Sequence, residues 1–180
     1  MLELFLTIAV IIVLIGFFIT LLIAFGTISI ILFKVPFVPT PKENINKIFE
    51  LFDLKKEQKF YDLGCGEGRF LIEATNQGAR AIGFEISVWA YLRGQLNLLI
   101  HKNPAKIFFK NFLNHDLSDA DAVYCFLIKK VMPRVAEKLE AELKPGAKII
   151  SYGFELPGWT ADQIIQPNKK LSNIYFYVKK

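Results

Sequence analysis

The sequence predicts an α/β chain: one N-terminal transmembrane helix, then a compact, doubly wound, mostly parallel sheet with helices on both faces. Three observations predict it. The first 33 of 180 residues carry one charged side chain, Glu3, and no Lys or Arg. The residues after them alternate strand-like and helix-like segments, which is how a parallel sheet is built from β-α units. The first strand-like segment also runs into a glycine-rich turn that opens a helix, Asp62-Leu63-Gly64-Cys65-Gly66-Glu67-Gly68-Arg69.

Residues 4–33 form an apolar run interrupted only by Thr7, Gly16, Thr20, Gly26, Thr27 and Ser29. A helix of roughly 20 such residues crosses a bilayer core, so this one is read as an anchor in contact with lipid. A cleaved signal peptide needs a basic start and a shorter apolar core, and neither is present. Lys34, Lys42 and Lys47 follow the run, which by the positive-inside bias puts the amino terminus outside and the rest in the cytoplasm. Gly16, Thr20 and Ala24 make a small-residue ridge that suits helix packing, although such spacing also arises by chance. All 22 basic and 16 of the 17 acidic residues lie from Lys34 onward, a net of +6. Residues 1–33 are thus an anchor and 34–180 one globular domain. Two cysteines fit a reducing compartment and exclude a disulfide scaffold. With only two histidines, both read as surface residues, no metal centre is expected.

Val35-Pro36-Phe37-Val38-Pro39 is a stiff connector, since each proline fixes its own φ and restricts its predecessor. Thr40 opens a helix as N-cap, with Pro41 at the first turn and Glu43 closing a capping box. Strands are expected at 59–63, 80–85, 105–109, 120–127, 147–152, 162–165 and 174–178. Helices are expected at 69–77, 88–101 and 133–143. Segment 120–127 is nearly all apolar, as in a strand buried on both faces. In such a sheet ligands bind beyond the carboxyl ends of the strands, where the strand order switches.

That rule points to the turn after the first strand. Its glycines are spaced G-x-G-x-G, with Arg69 where a dinucleotide fingerprint has its last glycine. Asp62 would set an anion beside a pyrophosphate, but it suits a ligand with cationic groups, such as the sulfonium and amine of S-adenosyl-L-methionine. Glu85 ends the second strand and can accept from both ribose hydroxyls.

Residues 59–85 resemble the first motifs of the class I S-adenosylmethionine-dependent methyltransferases, whose sheet is Rossmann-like, and the resemblance extends to about residue 160. The order of anchor, Pro36-Phe37-Val38-Pro39-Thr40, the 62–69 turn, Phe84-Glu85 and Trp89 is similar to the membrane-anchored lysine methyltransferases. Those modify the ATP synthase c-subunit and the adenine nucleotide translocase, and have shorter prokaryotic relatives. The resemblance implies a cofactor site of Thr40, Asp62, Gly64, Cys65, Gly66, Glu67, Gly68, Glu85, Ile86, Asn111 and Phe112. Within it, Asp62, Gly64 and Gly66 would meet the methionine part and Glu85 the ribose. Asn111 stands where the family has an aspartate for the adenine amino group, with Asp116 as the fallback. Ser87 replaces a family amide.

Methyl transfer to an amine is an in-line displacement that rests on orientation and a neutral nucleophile, so no acid–base dyad is required, and the sequence offers none. Phe37, Trp89, Phe126, Tyr152, Phe154 and Trp159 are candidates to line a lysine channel through cation–π contact, with Glu155 an acidic guide. Ordinary core packing is the competing reading for each. Cys65 and Cys125, read as neighbours, are packing thiols. After the fourth strand stands Cys125-Phe126-Leu127-Ile128 instead of an Asn/Asp-Pro-Pro-aromatic signature. The basic residues alternate with acidic ones, so no nucleic-acid partner is expected. The resulting expectation is a methyltransferase that acts on lysine in a membrane protein and leaves S-adenosyl-L-homocysteine as product. The alternatives are a lipid or quinone acceptor, or a cofactor-binding membrane module without turnover.

Overall fold

The computed structural model describes residues 2–33, 40, 42–166 and 172–180. The chain separates into two compact units, residues 1–36 and 37–180.

The first unit is helix α1, Leu2–Phe33. Its stretch Glu3–Phe25, 23 residues, is long and apolar enough to cross a bilayer; at 1.5 Å per residue it extends about 35 Å. From Leu4 to Phe25 its apolar side chains are exposed all round it. The Thr7 hydroxyl donates to the Glu3 carbonyl (2.8 Å) and that of Thr20 to the Phe17 carbonyl (2.8 Å), so these polar groups are satisfied inside the helix.

The second unit is a seven-stranded sheet in the order β3-β2-β1-β4-β5-β7-β6. The strands are β1 Lys59–Leu63, β2 Arg80–Glu85, β3 Lys106–Phe109, β4 Ala122–Cys125, β5 Lys148–Tyr152, β6 Gln163–Ile165 and β7 Ile174–Val178. The first five are parallel; β7 runs antiparallel against β5 and carries β6 at the edge. The helices are α2 Lys42–Phe52, α3 Arg69–Asn76, α4 Val88–Ile100 and α5 Met132–Glu142. Two apolar cores sandwich the sheet. One joins Ile48, Phe49 and Phe52 of α2, Phe70 and Leu71 of α3 and Leu98 of α4 to Phe60, Tyr124 and Tyr152. The other seats Met132, Val135 and Leu139 of α5 on Tyr61, Val123 and Ile149.

β4 is shorter than the expected 120–127. Ala120 closes a turn on Leu117, and the Asp121 carboxylate caps β1 by accepting from the Lys59 amide (2.7 Å). Beyond Cys125 the chain leaves the ladder across the carboxyl edge of the sheet. His115 is half-buried rather than on the surface, its ring 4.7 Å from that of Phe84.

Candidate active site

The order reverses between β1 and β4, and the 62–69 turn leaves the sheet there. Gly64, Gly66 and Gly68 all have positive φ. At Gly64 a Cβ would also come within 2.9 Å of Leu127 Cδ2, so both the left-handed backbone and the close approach require glycine. The Gly64 and Cys65 amides share the Phe84 carbonyl, each at 2.9 Å, which binds the turn to the end of β2.

Asp62 sits between Gly83 and Tyr124 in the strand register and is 2% exposed. No described residue donates a hydrogen bond to its carboxylate. Burial, with the Glu85 charge adding to it, pushes the Asp62 carboxyl well above its ordinary value. Glu85 has the opposite arrangement. Its Oε2 accepts from the Gly66 amide (2.9 Å) and its Oε1 from the Ile86 (2.8 Å) and Ser87 (2.7 Å) amides. A carboxylate has about four lone-pair sites, so these three bonds leave room for one ribose hydroxyl rather than the expected two. They also stitch the two ligand-facing loops together.

The remaining predicted residues divide. Glu67 pairs with Arg69 (2.7 Å) and Arg93 (3.0 Å), which offset its charge. The Cys65 thiol is buried and pushed well above its usual range by that burial; Cys125 is likewise pushed up, to about 12. The two are not neighbours: Cys65 belongs to the core under α2 and α3, Cys125 to the core under α5. Ile86 is 40% exposed beside Glu85. The Asn111 Oδ1 caps the short turn Phe112–Asn114 by accepting from the Leu113 amide (3.0 Å). Asp116 is occupied by Ser118, through its amide (2.8 Å) and hydroxyl (2.9 Å). Each would reach adenine only with the lone pairs those bonds leave. Phe112 is buried in the α5-side core.

Two tyrosines at the carboxyl edge, which sequence reasoning either missed or placed only among aromatics, meet the start of α2. Thr40 Oγ1 and Tyr124 Oη lie 2.8 Å apart, and the Asn44 amide donates to Tyr152 Oη (2.9 Å). Asn44 is fully buried, and its Oδ1 has no partner among the described residues. The Phe126 ring stands edge-on to Tyr152 at 4.8 Å. Phe154 and Trp159 lie on the other side, with the α5 core, where Trp159 contacts Tyr177 (5.9 Å). Glu155 is exposed, and Trp89 is 61% exposed on α4. Phe37, Pro41 and the Glu43 side chain lie outside the described residues. A surface cleft of about 380 Å³ between Glu50 of α2 and Glu73 of α3 contains none of these residues. Helix α4 supports the turn from below: the Asn97 amide donates to the Glu67 carbonyl (2.9 Å), and a Cβ at Gly94 would meet the Gly66 carbonyl at 2.8 Å. Neither residue stood out in the sequence, although a glycine inside a predicted helix marks a close approach.

Strand order, glycine turn, buried acid and strand-end glutamate together define a class I methyltransferase that uses S-adenosyl-L-methionine. The ANTKMT methyltransferase domain matches residues 62–163. A protein-lysine N-methyltransferase of Saccharolobus islandicus is 36% identical over 152 residues, covering 80% of this chain and 93% of that protein. The mouse lysine N-methyltransferase of the ATP synthase c-subunit is 29% identical, covering 71% of this chain but 52% of its own length. A Salinibacter ruber RNA methyltransferase bound to S-adenosyl-L-homocysteine superposes with a TM-score of 0.73 at 27% identity, covering 78% of this chain and 93% of that one. The chain belongs to the ANTKMT methyltransferase domain family.

Proposed function

We propose that this chain is a membrane-anchored protein-lysine N-methyltransferase acting on a membrane protein. The buried, donor-free Asp62 carboxylate carries the cofactor assignment, because a cationic ligand offsets the cost of such a charge. The bound cofactor supplies an electrophilic methyl on a sulfonium. Asp62 and the Gly64–Gly66 backbone hold its methionine end, Glu85 one ribose hydroxyl, and Ile86 packs on the base. Thr40 with Tyr124, and Asn44 with Tyr152, close the methionine end from the α2 side. Phe126 and Tyr152 shape the approach of the amine and exclude water, and that desolvation favours the neutral, nucleophilic form of lysine. Relatives that carry lysine methyltransferase names support this acceptor. The absence of an Asn/Asp-Pro-Pro-aromatic stretch after β4 speaks against a nucleobase.

Residues 1–33 are proposed as the anchor and 34–180 as the catalytic domain, on the cytoplasmic side by the lysine bias. Anchoring raises the effective concentration of a membrane-protein acceptor. The test is transfer of tritiated methyl groups to host membranes, with Asp62→Ala and Glu85→Ala as controls. Label in protein bands, lost in both variants, supports the reading. Label in lipid extracts points to a lipid acceptor, and saturable cofactor binding without label points to a module without turnover; either result sinks the lysine proposal.

A further inference from the structure

Helix α4 is apolar on two opposite sides. Ala90, Gly94 and Leu98 face the sheet. On the outward side Trp89, Leu92, Leu96, Leu99 and Ile100 are 53–73% exposed, at spacings that align them in one stripe along the helix. Phe109, half-exposed at the end of β3, borders the stripe through its contact with Tyr91 (5.4 Å). Single exposed leucines are ordinary, but a contiguous row of this kind marks a contact surface.

The charge around it is one-sided. From Ile86 to His115 the chain has no Asp or Glu, while Arg93, Lys102, Lys106 and Lys110 fall within that stretch. This corrects the reading that the domain's basic residues everywhere alternate with acidic ones. Arg93 is tied to Glu67. Lys102, just past the end of the helix, is exposed and has no carboxylate partner among the described residues. Lys106 and Lys110, by contrast, alternate along the chain with Ile107 and Phe109, which face α4, and Lys110 lies over the Phe108 ring (5.9 Å) on the opposite face of the sheet.

We propose that the outward face of α4 is an in-plane membrane-docking surface, its apolar stripe entering the bilayer interface and Lys102, at the end of the helix, meeting anionic headgroups. The proposal rests on the reading of residues 4–33 as an anchor, which confines the domain near lipid. Three features favour lipid over a protein partner. An amphipathic helix with a Trp/Leu face and a basic border is how proteins lie in the interfacial plane. Lysine is depleted at protein–protein contacts. Acid-free basic segments are attracted to anionic leaflets, by about fivefold in partitioning per lysine.

The full chain, reconstituted in phosphatidylcholine vesicles containing phosphatidylglycerol, tests it. The difference in emission between this chain and Trp89→Phe isolates Trp89. Bromines placed near the headgroup end of the acyl chains are expected to quench Trp89 more than bromines near the chain ends, as for a face about 5–10 Å deep. Leu96→Glu with Leu99→Glu, at exposed positions, keeps cofactor binding and loses the quenching. Lys102→Gln weakens it, as does removing phosphatidylglycerol. A Leu14→Trp reporter in the Trp89→Phe chain reads the anchor separately, by quenching from bromines near the chain ends. If that reporter is not quenched, the anchor fails. If it is quenched while Trp89 stays in water and unquenched, the docking face alone is overturned. A Trp89 that is shielded from water but insensitive to bromine is covered by protein, and also overturns it.

Discussion

Replacing Asp62 by Asn separates cofactor binding from folding. The Asp62 carboxylate has no donor among the described residues, is 2% exposed and is close enough to Glu85 to feel its charge. Its carboxyl is therefore raised well above the ordinary 3.8, by burial first and Glu85 second. A carboxyl raised on folding contributes stability that is complete below 3.8 and lost as pH rises through the folded-state value. Apo stability should fall with rising pH across that window, and Asp62→Asn should remove this slope and raise the apo melting temperature at neutral pH. The same change removes the charge proposed to meet the cofactor cation. One lost hydrogen bond involving a charged group costs about 1.5–3 kcal/mol, or about 10- to 150-fold in affinity. Cofactor binding should also release a proton from the wild-type site within the window, because a cation favours the carboxylate form. Calorimetry in two buffers of different ionisation enthalpy reads that proton, and thermal melts with and without S-adenosyl-L-homocysteine read the rest. An apo Asp62→Asn protein less stable than wild type at neutral pH, or one that keeps wild-type affinity, would refute the reasoning.

Four further outcomes are expected. Gly94→Ala places a methyl group 2.8 Å from the Gly66 carbonyl, so it should cost about 1–3 kcal/mol in denaturant unfolding and weaken cofactor binding more than a surface substitution does. Glu85→Gln puts an amide where three backbone N–H groups now converge, and should weaken cofactor binding at least tenfold by calorimetry, since hydrogen bonds to charged groups are worth about 1.5–3 kcal/mol. Tyr152→Phe strips the Asn44 amide of its described partner and should cost about 1–3 kcal/mol; adding Asn44→Leu should recover much of it, a coupling that a double-mutant cycle detects. Because burial pushes the Cys125 thiol up to about 12 and Cys65 well above its usual range, neither should react with an alkylating reagent at pH 8 until denaturant is added; mass spectrometry then counts two modifications.

The cofactor turn was legible because its parts are local. Asp62 through Arg69 and Glu85 sit in one β-α-β unit, so residue types and short spacings specified both the turn and the strand-end acid. The Thr40–Tyr124 and Asn44–Tyr152 pairs were not legible, since 84 and 108 residues separate their members and nothing in a single sequence pairs them. Asn111 and Asp116 had suitable chemistry, but their oxygens are engaged in turns of their own, which residue type does not reveal. Phe126 and Tyr152 meet, but Phe154 and Trp159 do not join them, for a different reason. Tyr152 ends β5 facing α2, and at Gly153 the backbone takes φ 90°, after which Phe154 and Trp159 pack on the α5 side. Likewise the reversal of β7 against β5 depends on pairing across the sheet rather than on any local pattern.

Helix α4 shows why a strong compositional signal can still be misread. Its 13 residues serve three directions: Ala90, Gly94 and Leu98 lie against the sheet, Arg93 and Asn97 hold the Glu67 segment of the turn, and Leu92, Leu96 and Leu99 face outward. Apolar residues on opposite sides blur the single stripe expected of a surface helix, so their spacing alone does not tell the outward face from the one against the sheet. The three directions are separable by mutation because they use different side chains. Gly94→Ala should disturb the turn while leaving an outward face still able to dock, and Leu96→Glu with Leu99→Glu should do the reverse. If both variants lost cofactor affinity together, the outward face would be part of the folded core of α4, and the exposed stripe would not be an independent surface. If they part as expected, one short helix both braces the cofactor turn and sets where the domain rests. For a transfer reaction that depends on orientation more than on acid–base chemistry, that is the contribution the protein has to make.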